Sequence, residues 1–229
     1  MKKYAFITGA NKGIGYELVR QLAEKDYHVF LGARNEQLGQ QAVVSYIQVD
    51  ISNSQSIQEA TKKIYETTDH LHLLINNAGI AIDFNTLPSE LNIENLRQGF
   101  EVIFFGTFQM IQAFLPLLKN SKNSKIINIT TDMASLTMFA NGETHPINTL
   151  GYNSSKTAIN ALTLAFSKEF ATNGPEVFGV TPGFTTTDLN GNSPGGHTTT
   201  ESAKIIIKYA LSETNYNGKI LNKNGIIPW

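Results

Sequence analysis

The sequence predicts an α/β fold, a doubly wound parallel sheet of about seven strands with helices on both faces. Short apolar runs alternate with helix-length segments along the whole chain. The runs are apolar on both faces, which is typical of parallel strands that are covered on both sides. A Gly-rich turn joins the first run to the first helical segment. Right-handed crossovers then place a ligand crevice at the carboxyl ends of the strands.

The predicted strands are short apolar runs, and the predicted helices lie between them. The strands cover residues 4–7, 28–31, 46–49, 73–75, 125–129, 177–180 and 218–221. The helices cover residues 13–24, 37–43, a segment ending at 65, a segment from 92 or 93 to 118, then 152–170 and 202–212. Ser52 or Ser54 is expected to cap the third helix. The irregular stretches 132–151 and 188–201 each follow a strand and are expected at the crevice.

Length, charge and cysteine content exclude several classes of protein. The 229 residues suit one α/β domain, and the net charge of −1 argues against a nucleic-acid partner. The absence of cysteine excludes a disulfide framework and a thiolate nucleophile. The first apolar run is too short for a secretory leader, and no run of about 18 apolar residues is found that would span a bilayer. These observations predict a cytoplasmic protein with no membrane partner.

The Gly-rich turn predicts a phosphate-binding loop. Residues 8–15 read Thr-Gly-Ala-Asn-Lys-Gly-Ile-Gly between the first strand and the first helix. Such a turn lets backbone N–H groups approach a pyrophosphate at the helix N-terminus. Gly9 would permit the turn, Gly13 the close approach and Gly15 the packing of helix on strand, although a plain strand–helix turn is the alternative. The predicted cofactor-binding residues here are Gly9, Asn11, Lys12, Gly13, Ile14 and Gly15.

The end of the second strand predicts which dinucleotide is bound. NAD-binding folds place an acidic residue there for the ribose hydroxyls, whereas NADP-binding folds offer arginine to the 2′-phosphate. This strand ends at Arg34 without an acid, and Lys12 could add a second positive charge. NADP(H) is therefore the predicted cofactor, and the alternative is that Arg34 is a solvated loop residue.

A tyrosine and a lysine predict acid–base chemistry. Tyr152 and Lys156 are four residues apart and share one face of a helix. A phenol has a pKa near 10, and a nearby ammonium favours the phenolate and lowers that pKa. The pair suits general acid–base work on a carbonyl or an alcohol. Taken alone, the spacing is unspecific.

Several motifs in one order resemble the short-chain dehydrogenase/reductase family over essentially the whole chain. They are the glycine turn, Asn76-Asn77-Ala78-Gly79 after the fourth strand, the tyrosine–lysine pair, and Pro182-Gly183 after the sixth strand. Within that family, Phe104-Phe105-Gly106-Thr107 and the ending Ile227-Pro228-Trp229 look like the carbonyl-reductase-like and bacterial C-signal-like branches.

The resemblance implies a Rossmann-type fold and a role for each matching position. Tyr152 would be the acid–base residue, and Lys156 would hold the nicotinamide ribose. Asp50 would accept a hydrogen bond from the adenine amino group; the alternative is a helix N-cap. The other implied cofactor contacts are Ile51, Asn77, Ala78, Gly79, Pro182, Gly183 and Thr187, although Thr187 could be only a turn residue.

Two positions depart from the family's pattern. Thr131 stands at the end of the fifth strand, where the family usually has serine, and its hydroxyl can still hold a substrate carbonyl. Ile103 stands where the family usually has an asparagine that holds a water linking the lysine to solvent. An alkyl side chain cannot hold that water. Proton resupply would then need another route, or the protein would bind its cofactor with little activity.

The predicted function is that of an NADPH-dependent oxidoreductase that reversibly reduces a ketone or aldehyde, with Tyr152, Lys156 and Thr131 as catalytic residues. One domain over residues 1–229 would carry both the cofactor site and the substrate site. The alternative is a regulatory or signalling NADP(H)-binding protein. No metal site is predicted, and His145 and His197 are expected to be loop histidines. The glycines of 188–197 suggest a mobile lid. A homodimer, a homotetramer and a monomer whose 132–151 segment covers a long helix all remain open.

Overall fold

The computed structural model describes residues 2–35, 44–84 and 86–229, and within them the sheet has eight strands. The strands are β1 Lys3–Thr8, β2 Tyr27–Ala33, β3 Val44–Gln48, β4 Leu73–Asn76, β5 Lys125–Ile129, β6 Glu176–Val180, β7 Ile220–Asn222 and β8 Gly225–Ile227. They lie in the order β3-β2-β1-β4-β5-β6-β7-β8, and all pairs are parallel except β7 with β8. The predicted doubly wound α/β fold is confirmed, with one short antiparallel strand more than predicted.

Seven α-helices accompany these strands in the described part of the chain. They are α1 Gly13–Ala23, α2 Ser54–Tyr65, α3 Ile93–Phe100, α4 Gly106–Lys119, α5 Leu136–Ala140, α6 Leu150–Glu169 and α7 Thr199–Ala210. The helix predicted over 37–43 lies outside the described residues. The helix α7 begins three residues earlier than predicted because Thr198 and Glu201 form a reciprocal capping box.

The cap predicted for α2 is wrong. The N-cap is Asn53, whose side-chain oxygen accepts hydrogen bonds from the amides of Gln55 and Ser56. Ser52 is unsuitable because its amide and hydroxyl both donate to Asp50. Three cap-forming residues in succession cannot be ranked by type alone, since side-chain partners decide among them.

Two apolar cores cover the two faces of the sheet. Alternate residues of β1 divide between them: Ala5 and Ile7 face the core beneath α1 and α7, whereas Tyr4 and Phe6 face the core beneath α2, α4 and α6. This alternation follows from the period of two along a strand. Coverage on both faces explains why the strands are apolar throughout.

The predicted fourth helix is interrupted at its centre. A π-helical turn, Glu101–Phe105, joins α3 to α4. By length and composition, Ile93–Lys119 could cross a membrane, since an 18-residue window within it has a mean hydropathy of 1.5; the expectation that no such run exists is therefore wrong. A core helix meets the same criterion, and here Met110 and Phe114 are fully buried in the core beneath α4. Phe105 and Phe108 remain exposed.

The two irregular segments have structure of their own at the carboxyl edge of the sheet. Residues 132–149 contain a 3₁₀ turn, Asp132–Ala134, and the helix α5. After β6, the amide of Thr186 donates to the carbonyl of His197, and the amide of His197 donates to the carbonyl of Phe184. These bonds fix the base of the segment predicted as a lid.

Candidate active site

The glycine turn after β1 has the geometry of an anion cradle. Gly9 and Gly13 have φ of 62° and 59°, a region that L side chains rarely adopt. A Cβ at Gly15 would lie 2.5 Å from the carbonyl oxygen of Gly9, so only glycine lets α1 approach the turn this closely. Lys12 is the N-cap of α1 and makes no side-chain capping bond among the described residues. The first amides of α1 are therefore available to a ligand.

The loop after β4 holds this turn in place. The hydroxyl of Thr8 accepts hydrogen bonds from the amides of Asn77 and Ala78, each at 3.0 Å. The side-chain amide of Asn77 donates to the carbonyls of Thr8 and Gly9. The ends of β1 and β4 flank the point where the strand order reverses, which is where ligands bind in such sheets. Asn77 and Ala78, predicted as cofactor contacts, thus border the crevice and also support its loop.

The ends of β2 and β3 place two predicted adenine-side residues near each other. Arg34 is exposed just beyond β2, and Asp50 follows β3. Partial burial would raise the pKa of Asp50, but donors from Ser52 and the charge of Arg34 outweigh it and lower that pKa. Asp50 is therefore an anion that can accept a hydrogen bond. Ile51 is buried against Gly106 of α4.

The segment after β6 reaches back to the glycine turn. Thr187 lies close to the turn, since a Cβ on Gly13 would be 4.0 Å from its methyl group. Lys12, predicted as a phosphate cation, forms a 2.8 Å ion pair with Asp188, and both side chains are exposed. Gly183 has φ of 77° and lies beside His197, whose Nδ1 is 3.3 Å from the carbonyl oxygen of Pro182. Of the predicted residues in this segment, Thr187 thus borders the glycine turn, while Pro182 and Gly183 contact His197. Ile14, on the first turn of α1, is half-buried, and Asn11 precedes it in the turn.

Tyr152 and Lys156 lie in the first two turns of α6, on one face. The ammonium of Lys156 is 5.9 Å from the centre of the Tyr152 ring and donates a 2.6 Å hydrogen bond to the carbonyl of Ile129, the last residue of β5. Burial raises the pKa of Tyr152 to about 12 and lowers the pKa of Lys156 to about 8. The expected lowering of the tyrosine pKa is not seen in the protein alone, because burial is the cause that acts on this phenol and burial raises the pKa.

Thr131 and Ile103, the two departures from the family's pattern, lie just beyond β5 and near Lys156, respectively. Thr131 is two residues beyond Ile129, and its hydroxyl accepts a long hydrogen bond from the amide of Met133 at 3.4 Å. Ile103 is buried in the π-helical turn; a Cβ on Gly79 would lie 3.9 Å from its side chain and 3.7 Å from Nζ of Lys156. The departure from the family's pattern at Ile103 thus falls near Lys156, the predicted catalytic lysine.

Two contacts near the crevice could not be predicted from the sequence. Asp83 is buried and accepts hydrogen bonds from the amides of Gly151 and Tyr152, 68 and 69 residues away along the chain. His145 stacks on Phe184 with ring centres 4.6 Å apart, so the 132–149 segment reaches the segment after β6. Neither pair shares a helical or strand period, so no local pattern could have indicated them. Among the described residues, no group of three or more acidic, histidine or cysteine side chains could hold a metal ion.

The chain has the features of a class of Rossmann-type α/β protein. These are a doubly wound sheet, an open glycine turn at the reversal of strand order, and a tyrosine–lysine pair that faces the end of β5. The model of the short chain dehydrogenase family matches residues 3–196. The chain belongs to that family, and the resemblance drawn from its motifs is confirmed.

Similar proteins agree with this assignment. The short-chain dehydrogenase/reductase tropE of Talaromyces stipitatus is 30% identical over 225 residues, covering 85% of this chain and 82% of that protein. The NADPH-bound carbonyl reductase from chicken fatty liver superposes with a TM-score of 0.88 at 26% identity, covering 99% of each chain. A short chain dehydrogenase from Burkholderia cenocepacia in complex with NADP has a TM-score of 0.80 at 26% identity, covering 96% of this chain and 87% of that chain.

Proposed function

We propose that this protein is an NADPH-dependent carbonyl reductase that works reversibly on a ketone or aldehyde. The observation that carries the proposal is the position of Lys156 and Tyr152 in the crevice, with Lys156 anchored on β5. Residues 1–229 would act as one domain that carries both the cofactor site and the substrate site. Small molecules, rather than nucleic acid or membrane, would be its partners, and the cytoplasm its compartment.

The crevice suits a dinucleotide phosphate on its own geometry. Backbone amides at the start of α1 point into a turn where a Cβ at Gly9 would lie 2.8 Å from Ala78, which is the shape that a pyrophosphate requires. Arg34 supplies an exposed guanidinium at the end of β2 without a neighbouring acid on that strand. A 2′-phosphate prefers such a planar, always charged donor. The NADP(H)-bound relatives support the same preference.

The chain's own residues would manage the proton. NADPH, when held in this crevice, would supply the hydride that a carbonyl carbon accepts. Tyr152 is a protonated phenol at neutral pH, since burial raises its pKa further above the ordinary value, and it would donate its phenolic proton to the carbonyl oxygen. The hydroxyl of Thr131 orients that oxygen by a hydrogen bond. The phenolate left on Tyr152 is stabilised by the ammonium of Lys156, and a proton from solvent then restores the phenol.

A second candidate is a regulatory NADP(H)-binding protein with little turnover. The observation that favours it is the buried alkyl group of Ile103 beside Lys156, which leaves no side-chain donor or acceptor at that position for a proton route. The retained phenol, ammonium and Thr131 hydroxyl favour the enzyme.

The two functions are separated by the Tyr152→Phe variant, which keeps the ring and removes the proton donor. NADPH absorbance decay is measured with a panel of activated ketones. The native protein is expected to turn over, and the variant to lose about 10²- to 10⁴-fold in kcat, the usual contribution of general acid catalysis. NADPH fluorescence titration should give both proteins similar affinity. Equal rates for the two proteins would refute the carbonyl reductase and leave the regulatory function.

A further inference from the structure

The N-terminus of α6 is capped from outside the helix. The first amides of a helix have no partner within it, and the N-cap side chain usually supplies one. Here the N-cap is Thr149, but its hydroxyl donates to the side-chain oxygen of Asn153 and makes no capping bond within the described residues. Asp83 takes this role instead: its Oδ2 is 2.6 Å from the amide nitrogen of Gly151 and 3.4 Å from that of Tyr152.

The contact is built for close approach. Asp83 is only 2% exposed, so its carboxylate depends on these amides and on the positive end of the 20-residue helix. A Cβ at Gly151 would lie 3.1 Å from Oδ2, so glycine at this position leaves room for the carboxylate. The next residue, Phe84, places its ring 6.3 Å from the ring of Tyr152. Two consecutive residues therefore hold the backbone and the side chain of the same turn.

Asp83 also connects this turn to the cofactor side of the crevice. It lies four residues beyond Gly79, at the end of the loop whose Asn77 and Ala78 bind Thr8. A displacement of that loop would thus be transmitted to the turn that carries Tyr152. We propose that Asp83 is a positioning residue that caps α6 across the fold and fixes the Tyr152 phenol relative to the cofactor loop. The catalytic part of this inference rests on the proposed function.

The test compares Asp83→Ala, which removes the cap, with Asp83→Asn, which keeps an acceptor oxygen of the same shape. Amide exchange of residues 150–152 is measured first, because these amides lack a backbone partner inside the helix, whereas the amide of Asn153 already bonds the carbonyl of Thr149. In Asp83→Ala the Gly151 amide should exchange about 10-fold faster or more, as expected for a lost hydrogen bond to a charged group. Asp83→Asn should restore most of the protection.

The kinetic arm uses the same variants and NADPH. Asp83→Ala should lower kcat by about 10- to 100-fold, the effect of a small misplacement of a reacting group. The NADPH dissociation constant should change by less than about threefold, and Asp83→Asn should regain most of the lost rate. Asn53→Ala is the matched control, because it removes the cap of α2, which carries no proposed site residue. It should leave kcat unchanged.

The outcomes are distinct. Unchanged amide exchange in Asp83→Ala would overturn the cap, and faster exchange with a native kcat would overturn the positioning role. Equal kcat losses in Asp83→Ala and Asp83→Asn would also overturn it, since the retained acceptor would then be without effect. If the native protein reduced none of the ketones, the proposed function would fail, and the amides would still decide whether Asp83 fixes this turn.

Discussion

At the residue scale, the ammonium of Lys156 needs polar neighbours, whereas Ile103 beside it is apolar. Lys156 is buried, and the hydrogen bond that it donates leads to the carbonyl of Ile129 within the sheet. Burial lowers the pKa of Lys156 to about 8, so the side chain is charged at pH 7 but loses its proton only about one pH unit higher. A polar neighbour would stabilise the ammonium and conduct a proton, but Ile103 offers only an alkyl group. In the proposed reaction, we therefore expect Ile103 to affect most the step in which a proton returns to Tyr152.

Replacing Ile103 with asparagine should raise turnover. The new amide can hold a water beside Lys156, and kcat is expected to increase by about 3- to 10-fold, within the range that one acid–base contact contributes. The solvent isotope effect on kcat should fall as proton return ceases to limit the rate. Ile103→Val is the control, because it changes volume without polarity and should leave the isotope effect unaltered. No change in rate or isotope effect in Ile103→Asn would show that proton return uses another route.

Arg34 carries the predicted choice of cofactor. Arg34→Ala should raise the NADPH dissociation constant by about 10- to 100-fold, because a charge-assisted hydrogen bond to phosphate is lost. The NADH dissociation constant should change by less than about twofold, since NADH has no 2′-phosphate. Fluorescence titration of both cofactors measures this. Arg97→Ala, which removes an exposed arginine of α3, is the control. A parallel loss of NADH affinity would mean that Arg34 serves the loop and not the phosphate.

At the scale of elements, the close packing of α1 on the glycine turn depends on the absence of a Cβ at Gly15. Gly15→Ala would bring a Cβ within 2.8 Å of Ala10 and closer still to Gly9 and Asn77. Because two of these contacts are backbone, α1 must shift, and we expect a loss of about 1–3 kcal/mol in the free energy of unfolding. NADPH affinity should fall with it, by about 10-fold or more, because the amides of the turn move.

The control for this change is Gly99→Ala in α3. A Cβ there makes only an ordinary 3.9 Å contact with the carbonyl oxygen of Gly151. The variant should be as stable as the native protein or more stable by about 0.5–1 kcal/mol, the helix preference of alanine over glycine. Urea unfolding of both variants, with NADPH titration, decides the matter. A Gly15→Ala protein with native stability and native NADPH affinity would contradict the close packing of α1 against the glycine turn.

The elements also show how far sequence patterns extend. Strands and long helices were predictable because their apolar period follows directly from burial. The strand β8 was not, since it is only three residues long and pairs through a tight turn after Asn222. The π-helical turn that contains Ile103 does not disturb the helical spacing of apolar residues in this stretch, so the sequence pattern predicts one continuous helix there. Asp83 lies outside any period, and only the folded chain brings it to α6.

At the scale of the whole molecule, the two ends of the sheet have different chemistry. The glycine turn, Tyr152 and Lys156 occupy the carboxyl edge. At the opposite edge, the rings of Tyr4, His28 and His70 cluster, with centres 5.4 Å and 5.2 Å from Tyr4 to the two histidines. Candidate site residues could be proposed from the sequence because family motifs mark that edge, whereas the histidine cluster comes from three separate segments that no motif connects.

This histidine edge predicts a loss of stability in mild acid. Burial, with smaller contributions from nearby positive charges, lowers the pKa of His28 and of His72 below 6.5. The unfolded chain then binds more protons than the folded protein, so the free energy of unfolding falls as the pH decreases through 6.5. Asp132 is half-buried, and because desolvation raises its pKa it acts in the opposite sense at lower pH. Urea unfolding at pH 7.5 and 5.5 should therefore show a lower midpoint at pH 5.5.

Single variants assign this effect to the histidine edge. His28→Gln removes one titrating ring and should reduce the difference between the two midpoints, although burying a new amide lowers both of them. His145→Gln is the matched control, because His145 is exposed at the crevice and its replacement should leave the difference unchanged. An equal reduction in both variants would locate the acid sensitivity elsewhere than at His28. If His28→Gln keeps the native difference between the two urea midpoints, the acid sensitivity would be assigned to His72. Its Nδ1 accepts a hydrogen bond from the amide of Tyr4 and can no longer accept it once protonated.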